Sequence, residues 1–387
     1  MVGFLHPKFY EKEKPVPPEE YVRVDHESLR SWVSKVFQAL GLRRDYADIV
    51  ADNLVAADLM GISSHGVQRI RRYVGGIKVG SINVNPDIRI VRDMGAAVLL
   101  DGDNGPGQVV GTKAMNIAIE RAKRYGVGVV GVRRSHHYGI AGYYALMAVE
   151  HGMIGVSLTN ARSLVAYVGT LSKYLGTNPI AVAAPRRNPP PFLFDAATST
   201  VPVGKVEIYA KTGRSVPHGW AVSLEDGREL TGDAAPILEA IRKGRAALLP
   251  LGGLAEETGG HKGSGLALIV ELLAGVLTGA AWAIHVRNTT DPQPANVGHF
   301  FMSINIEAFM SLEEFYDRFE KMIEEIKSLP KHPQADRIWI PGEKAWLTME
   351  TRKKIGIPLH RNVFNDLKKL SEELGLDFTV KVLKETA

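Results

Sequence analysis

The sequence predicts an α/β protein in which helical segments from both ends of the chain enclose an α/β centre at about residues 80–300. Apolar residues recur at helical spacing up to about residue 80, and again from about Ser311. Between them the texture changes to short β-like runs alternating with helical stretches. This divides the chain into an N-terminal arm and first helical part (1–80), an α/β part (81–300) and a C-terminal segment completing the helical part (301–387). No internal repeat is visible.

Residues 1–22 read as an extended arm broken by prolines. Asp25 can cap a helix carrying Leu29, Trp32, Val33, Val36, Phe37 and Leu40, which ends at Gly41. A second helix covers 45–60 and stops at Gly61; Ser64 reads as the N-cap of a third. Beyond Gly80, strands are expected at 88–91, 97–100, 128–132, 154–158, 180–184 and 192–194, and helices at 113–125 and 141–151. Glu225-Asp226-Gly227 marks a hairpin turn. Residues 266–284 are almost wholly apolar, but they carry Glu271, are rich in Gly and Ala, and lack flanking aromatic or basic girdles. A helix buried in the core or at a subunit contact is expected there, not a membrane span.

Composition excludes several classes. The +5 net charge is spread over short pairs such as Arg71-Arg72, Arg133-Arg134 and Arg186-Arg187, with no basic stripe interleaved with aromatics, so nucleic acid is not an expected partner. The absence of cysteine removes disulfides, thiolate nucleophiles and Cys-based metal sites. It fits a reducing compartment, and with no signal-peptide pattern at the N-terminus a cytoplasmic location is expected. His136 and His137 are adjacent, there is no HExxH and no acidic cluster at ligand spacing, so no metal is expected.

Ser64-His65-Gly66 followed by Arg69 is the stretch that carries chemistry. His65 and Arg69 are four apart and share a helical face, with Tyr73 one turn further. A guanidinium can hold a carboxylate in a fork while the imidazole trades a proton with the adjacent oxygen of a 2-oxo or 2-hydroxy acid. The alternative is a surface His and Arg after a capped turn. Gly126-Val127-Gly128-Val129-Val130-Gly131 formally matches GxGxxG, yet a helix ends at Gly126 and a strand follows, the reverse of a dinucleotide fingerprint. Gly259-Gly260-His261-Lys262-Gly263-Ser264-Gly265 lacks Walker spacing but sets backbone N–H groups and a Lys before a long helix, a reasonable anion site.

Further polar loops carry Ser135-His136-His137-Tyr138-Gly139, Thr159-Asn160-Ala161-Arg162, Gly176-Thr177-Asn178-Pro179, and Asp195-Ala196-Ala197-Thr198-Ser199 leading to Gly204-Lys205. With Asn296-Val297-Gly298-His299-Phe300-Phe301, these motifs over residues 25–342 resemble the type 2 malate/L-lactate dehydrogenase family, which also holds ureidoglycolate, sulfolactate, diketogulonate and piperideine-2-carboxylate enzymes. The resemblance implies NAD or NADP bound without a Rossmann fold, on a mostly antiparallel sheet flanked by helices, and a homodimer. It implies reversible hydride transfer on a small 2-oxo/2-hydroxy acid, with malate/oxaloacetate the leading pair and lactate, sulfolactate and ureidoglycolate as alternatives. His65 would be the proton donor, held by Ser64, with Arg69 on the substrate carboxylate and Thr177 touching substrate. His137 would be a second acid/base or a cofactor contact beside Tyr138 and Gly139. Asp195, Ala196, Ala197, His261, Lys262 and the Pro341-Gly342-Glu343 turn would line the cofactor. Lys205 counts among the catalytic candidates and stands where the imine-reducing branch carries an Asp relay, which argues against that branch. Ser264 and Gln334 depart from the family pattern, where an aromatic residue and a glycine are usual. Malate's second carboxylate calls for a second cation, and Arg162 is the candidate. Arg186-Arg187 could meet a 2′-phosphate or face water.

Overall fold

Asp25 starts the first helix through its side chain, which accepts the Ser28 N–H at 2.8 Å, and His26–Ala39 buries Leu29, Trp32, Val33, Val36 and Phe37. Each such fully buried side chain is worth about 1.5–3 kcal/mol of transfer free energy, so this face holds the helix in place. Helix Arg44–Leu59 packs against it. The C-terminal helix Arg361–Leu374 closes the same core: the Trp32 indole donates to Ser371 Oγ at 2.8 Å, and strand Tyr21–Val24 pairs antiparallel with Ile357–His360. The computed structural model describes residues 4–6, 9–12 and 18–383.

The centre is a mixed α/β fold whose sheets are mostly antiparallel and flanked by helices. Seven strands lie in the order Phe192–Ala196, Ile180–Ala184, Met153–Thr159, Val297–Asn305, Val127–Ser135, Ala97–Asp101, Arg89–Asp93. Only Ala97–Asp101 and Val127–Ser135 run parallel, joined by helix Gly107–Tyr125, which starts two turns before the expected position. Gly126 closes that helix at φ +82°, with its N–H on Ala122 O. The glycine match there is therefore a helix cap and not a phosphate loop.

A second sheet has a separate apolar core. Its five strands run Glu229–Asp233, Ser215–Ser223, Ala246–Leu248, Val165–Ala166, Lys173–Leu175. With helices Val203–Lys211 and Ala234–Arg242 it buries Val165, Leu175, Val206, Trp220, Ile237 and Leu248. The hairpin turn at Glu225-Asp226-Gly227 joins its first two strands.

The apolar run 266–284 is no single helix. An α-helix over Gly260–Val270 passes into a π-helical turn, Glu271–Val276. Glu271 explains the irregularity: its buried carboxylate accepts from Asn160 Nδ2, Asn178 Nδ2 and the Ala283 N–H at 2.9–3.1 Å. One side packs on the seven-stranded sheet, while Leu266, Ile269, Leu272, Val276, Leu277 and Ile284 remain exposed. Among the described residues, no helix is long and apolar enough to cross a membrane.

Candidate active site

The turn carrying His65 is built by Asp58. This buried carboxylate accepts the Val67 N–H at 2.8 Å, and a Cβ on Gly66 would stand 2.1 Å from its Oδ1, so only glycine fits between them. Burial pushes Asp58 up to about 7. Ser64 is not an N-cap. It lies inside a 3-10 turn, Ser63–His65, while the regular helix begins at Ile70. Its hydroxyl meets His65 Nδ1 at 2.9 Å, and its carbonyl accepts from Arg69 Nε at 2.7 Å. The motif thus braces itself: serine orients the imidazole, and the guanidinium locks the serine backbone.

His137 follows the strand Val127–Ser135 and stacks on His65, ring centroids 5.7 Å apart at 15°. Its Nδ1 accepts the Gly139 N–H at 3.3 Å and lies 2.7 Å from the Tyr73 hydroxyl. A backbone N–H can only donate, so Nδ1 is unprotonated, Tyr73 donates to it too, and the neutral ring carries its proton on Nε2. Burial, then the charges of Arg69 and Arg72, lower His65 to about 3. Burial, then Arg72, holds His137 well below the usual imidazole range. Both rings are neutral at pH 7.

Arg72 is the residue that motif reading missed. Nothing distinguishes it in sequence except its place three residues after Arg69 on the same helix face. Its Nε donates to the buried Thr289 Oγ1 at 3.0 Å, and burial draws it down to about 10. Among the described residues no carboxylate lies within ion-pair distance of it. Arg69 differs: its Nη1 stands 2.9 Å from Glu207 Oε2, so the expected carboxylate clamp holds an internal carboxylate. Arg162 is mostly buried near Glu207, Asp291 and Arg69, and its charge is not among those that shift the two histidines.

Ser64, His65, Gly139, Thr177, Asp195, Ala196, Ala197 and Lys205 line one cleft of about 480 Å³, with Lys12, Lys211 and Arg214 further along it. The volume suits a small-molecule site, and Lys12, Lys205, Lys211 and Arg214 bring positive charge to its wall. Asp195 accepts the Gly142 N–H at 2.7 Å, and burial raises it to about 6. The Lys205 ammonium lies 5.3 Å from the Trp220 ring centre.

Other expected contacts lie elsewhere. Tyr138 is packed in the core, bonded to Ser157 Oγ and stacked on His299, so its ring is unavailable to a cofactor. His261 and Lys262 are exposed on the first turn of Gly260–Val270 and do not line the cleft. Pro341 and Gly342 pack against Pro191 and Leu193, and Glu343 is buried against Lys327 and the Ile340 N–H. The turn is thereby a structural joint outside the cleft lining. Arg186 pairs with Glu320, and Arg187 with Glu313 and Asp317, which leaves neither poised for a 2′-phosphate. Among the described residues no three His, Asp or Glu side chains are grouped to hold a metal ion.

The buried titrating groups predict an acid limb in stability. His65, His136, His137 and His299 all titrate below their unfolded value, so between about pH 4 and 6.5 the unfolded chain binds protons that the native one does not. Asp58, Asp195 and Glu271 are shifted upward and oppose them. Four histidines against three carboxyls leave an uptake of about one proton or slightly more on unfolding near pH 5. Stability should therefore fall as pH drops from 6.5 to 4.5. Calorimetry across that range checks it, and a Tm that rises on acidification would refute the neutral histidine cluster.

A family model described as malate/L-lactate dehydrogenase matches residues 24–368. The malate dehydrogenase of Pyrococcus abyssi is 52% identical over 364 residues, covering 94% of this chain and 98% of the relative. The L-sulfolactate dehydrogenase of Methanocaldococcus jannaschii is 39% identical, covering 91% and 97%. The solved structure of malate dehydrogenase from Pyrococcus horikoshii superposes with a TM-score of 0.86 at 49% identity, covering 94% of this chain and 99% of that one.

Proposed function

The chain belongs to the malate/L-lactate dehydrogenase family, and from that premise we propose that it interconverts malate and oxaloacetate with NAD or NADP, using His65 to hold and move the proton. The observation that carries this reading is a neutral imidazole, fixed by Ser64 at the wall of a cation-bearing cleft, beside Arg69 and Arg72. The nicotinamide, when bound, supplies or accepts the hydride at the substrate's C2. In oxidation, His65 Nε2 takes the proton from the substrate hydroxyl while the ring's Nδ1–H donates to Ser64 Oγ, which holds the imidazole in the tautomer that can accept. Arg69 and Thr177 orient the 2-oxo acid end, and Lys12, Lys205, Lys211 and Arg214 supply charge toward the cofactor's phosphates. His137, stacked behind His65 with its tautomer fixed by Tyr73 and Gly139, keeps the first ring in register. The reading extends to a cytoplasmic protein and to a homodimer joined through the exposed apolar side of residues 266–284; molar mass in solution by light scattering, for the wild type and for Leu272→Glu, tests the dimer and that face. Absorbance change of NADH and of NADPH across oxaloacetate, pyruvate and sulfopyruvate tests the activity. A protein inert toward all three with both cofactors would overturn it.

The neutral histidine gives the two directions opposite pH behaviour. Because His65 titrates at about 3, its base form is present throughout the neutral range. kcat/KM for malate should be flat from pH 5.5 to 8, with no inflection near about 6.5, the ordinary value for histidine. kcat/KM for oxaloacetate should fall about tenfold per pH unit as the protonated ring becomes scarcer. Asp58 and Asp195 titrate at about 7 and 6 beside the site, so an ascending limb near that ordinary histidine value that persists in both Asp58→Asn and Asp195→Asn would mean that His65 is not held neutral.

A further inference from the structure

We propose that Glu207 is an internal competitor for the substrate: its carboxylate occupies the Arg69 guanidinium in the empty site and is displaced by the substrate's own carboxylate. This rests on the assignment of Arg69 to the substrate carboxylate made above.

Three observations carry it. The Arg69 Nη1–Glu207 Oε2 pair is 2.9 Å long, with side chains only 14% and 21% exposed, so this is a desolvated contact and not a surface ion pair. Arg69 Nε is already committed to the Ser64 carbonyl, and a Cβ on Gly204 would stand 2.4 Å from Nη2. The fork is therefore hemmed in at Nε and Nη2, and a carboxylate that pairs with it has to take the Nη1 contact that Glu207 holds. Finally, Glu207 has an alternative partner. Its Oε1 lies 3.9 Å from Arg242 Nη2, whose side chain is 58% exposed.

The pair also joins two bodies of structure. Glu207 sits on helix Val203–Lys211, whose Val206 belongs to the core of the five-stranded sheet, while Arg69 follows the turn that carries His65. The cleft draws its lining from both, through Ser64, His65 and Gln68 on one side and Lys205, Ile208 and Tyr209 on the other, the sequence neighbours of a pair that does not itself line it. Exchanging Glu207 for a substrate carboxylate would hand Glu207 to Arg242 and loosen this helix from the His65 turn. The acid that enters has to outbid a carboxylate already in place, so Glu207 sets a threshold on affinity and favours substrates carrying a second anionic group for the neighbouring cations.

Oxalate, an unreactive dicarboxylate, is the probe, titrated calorimetrically into the NADH-loaded protein. Glu207→Gln removes the competing charge and Glu207→Asp shortens its reach; both should bind oxalate about five- to tenfold tighter than the wild type, as expected when a desolvated charged contact no longer has to be broken. Equal or weaker binding in both variants, with Arg69→Ala still weakening oxalate more than about tenfold, would overturn the competitor role and leave the Arg69 assignment intact. Oxalate binding indifferent to Arg69→Ala would overturn both. If neither Glu207 variant folds, the wild-type chain decides. The same helix carries Tyr209, 4.9 Å from the Trp220 ring, so oxalate should change the emission that Trp220→Phe removes. No such change would overturn the proposal.

Discussion

His65→Ala should lower the turnover of malate oxidation by about two to four powers of ten, the usual worth of a positioned acid or base, while leaving the cofactor's dissociation constant near that of the wild type. The split follows from the geometry. His65 is at the cleft wall, fixed by Ser64 through Nδ1, and its open nitrogen is the one available to a substrate oxygen. His137 has its Nδ1 taken by Tyr73 and Gly139, so its Nε2 already carries a proton and cannot accept one from the substrate hydroxyl without a change of tautomer. His137→Ala should cost less in turnover, about tenfold, because it removes the stacking partner and not the proton carrier. Near-normal turnover in His65→Ala with a collapse in His137→Ala would reverse the two roles. Equal losses with raised cofactor dissociation in both would mean that neither ring handles the proton alone.

The same site explains how far residues could be read without coordinates. Asp25 and the spacing of Leu29, Trp32, Val36 and Phe37 announce their helix because capping and amphipathic burial are local. Strand 180–184 and the end of the helix at Gly126 are equally local, and both stand where the pattern puts them. Ser64 misled for a physical reason: its hydroxyl had two uses, capping or holding His65, and Asp58 six residues earlier decided for the second by taking the Val67 N–H. The five-stranded sheet was mostly illegible because its strands are short and pair across long separations, as Leu248 does with Val165. Glu207 sits in an ordinary helical pattern, and only the fold shows it against Arg69. Motif resemblance found the cleft-lining loops, yet assigned Tyr138 and Glu343 to a cofactor when their side chains are engaged in the protein interior.

Specificity for a dicarboxylate should depend on Arg72 and not on Arg162. Oxaloacetate carries one more carboxylate than pyruvate, and burying that charge without a cation costs several kilocalories at the order of about 3–5 kcal/mol for an uncompensated charge. The cation must lie near the reacting carbon, hence near His65. Electrostatic influence falls with distance, and Arg69 and Arg72 are the arginines whose charges depress both histidines. Arg162 acts on Arg72 through space but not on either ring, and it faces Glu207 and Asp291. Arg72, like Arg162, has no carboxylate within ion-pair distance among the described residues, but it is anchored by Thr289 through Nε so that its other nitrogens stay available. Arg72→Ala should lower the ratio of kcat/KM for oxaloacetate over pyruvate by about ten- to a hundredfold, the loss expected for a charge-assisted pair of ~1.5–3 kcal/mol. Arg162→Ala should change that ratio less than about threefold, since its charge is not among those that act on either histidine. The reverse pattern would restore Arg162 as the second carboxylate's partner. A wild-type protein that treats the two acids alike would remove the need for either.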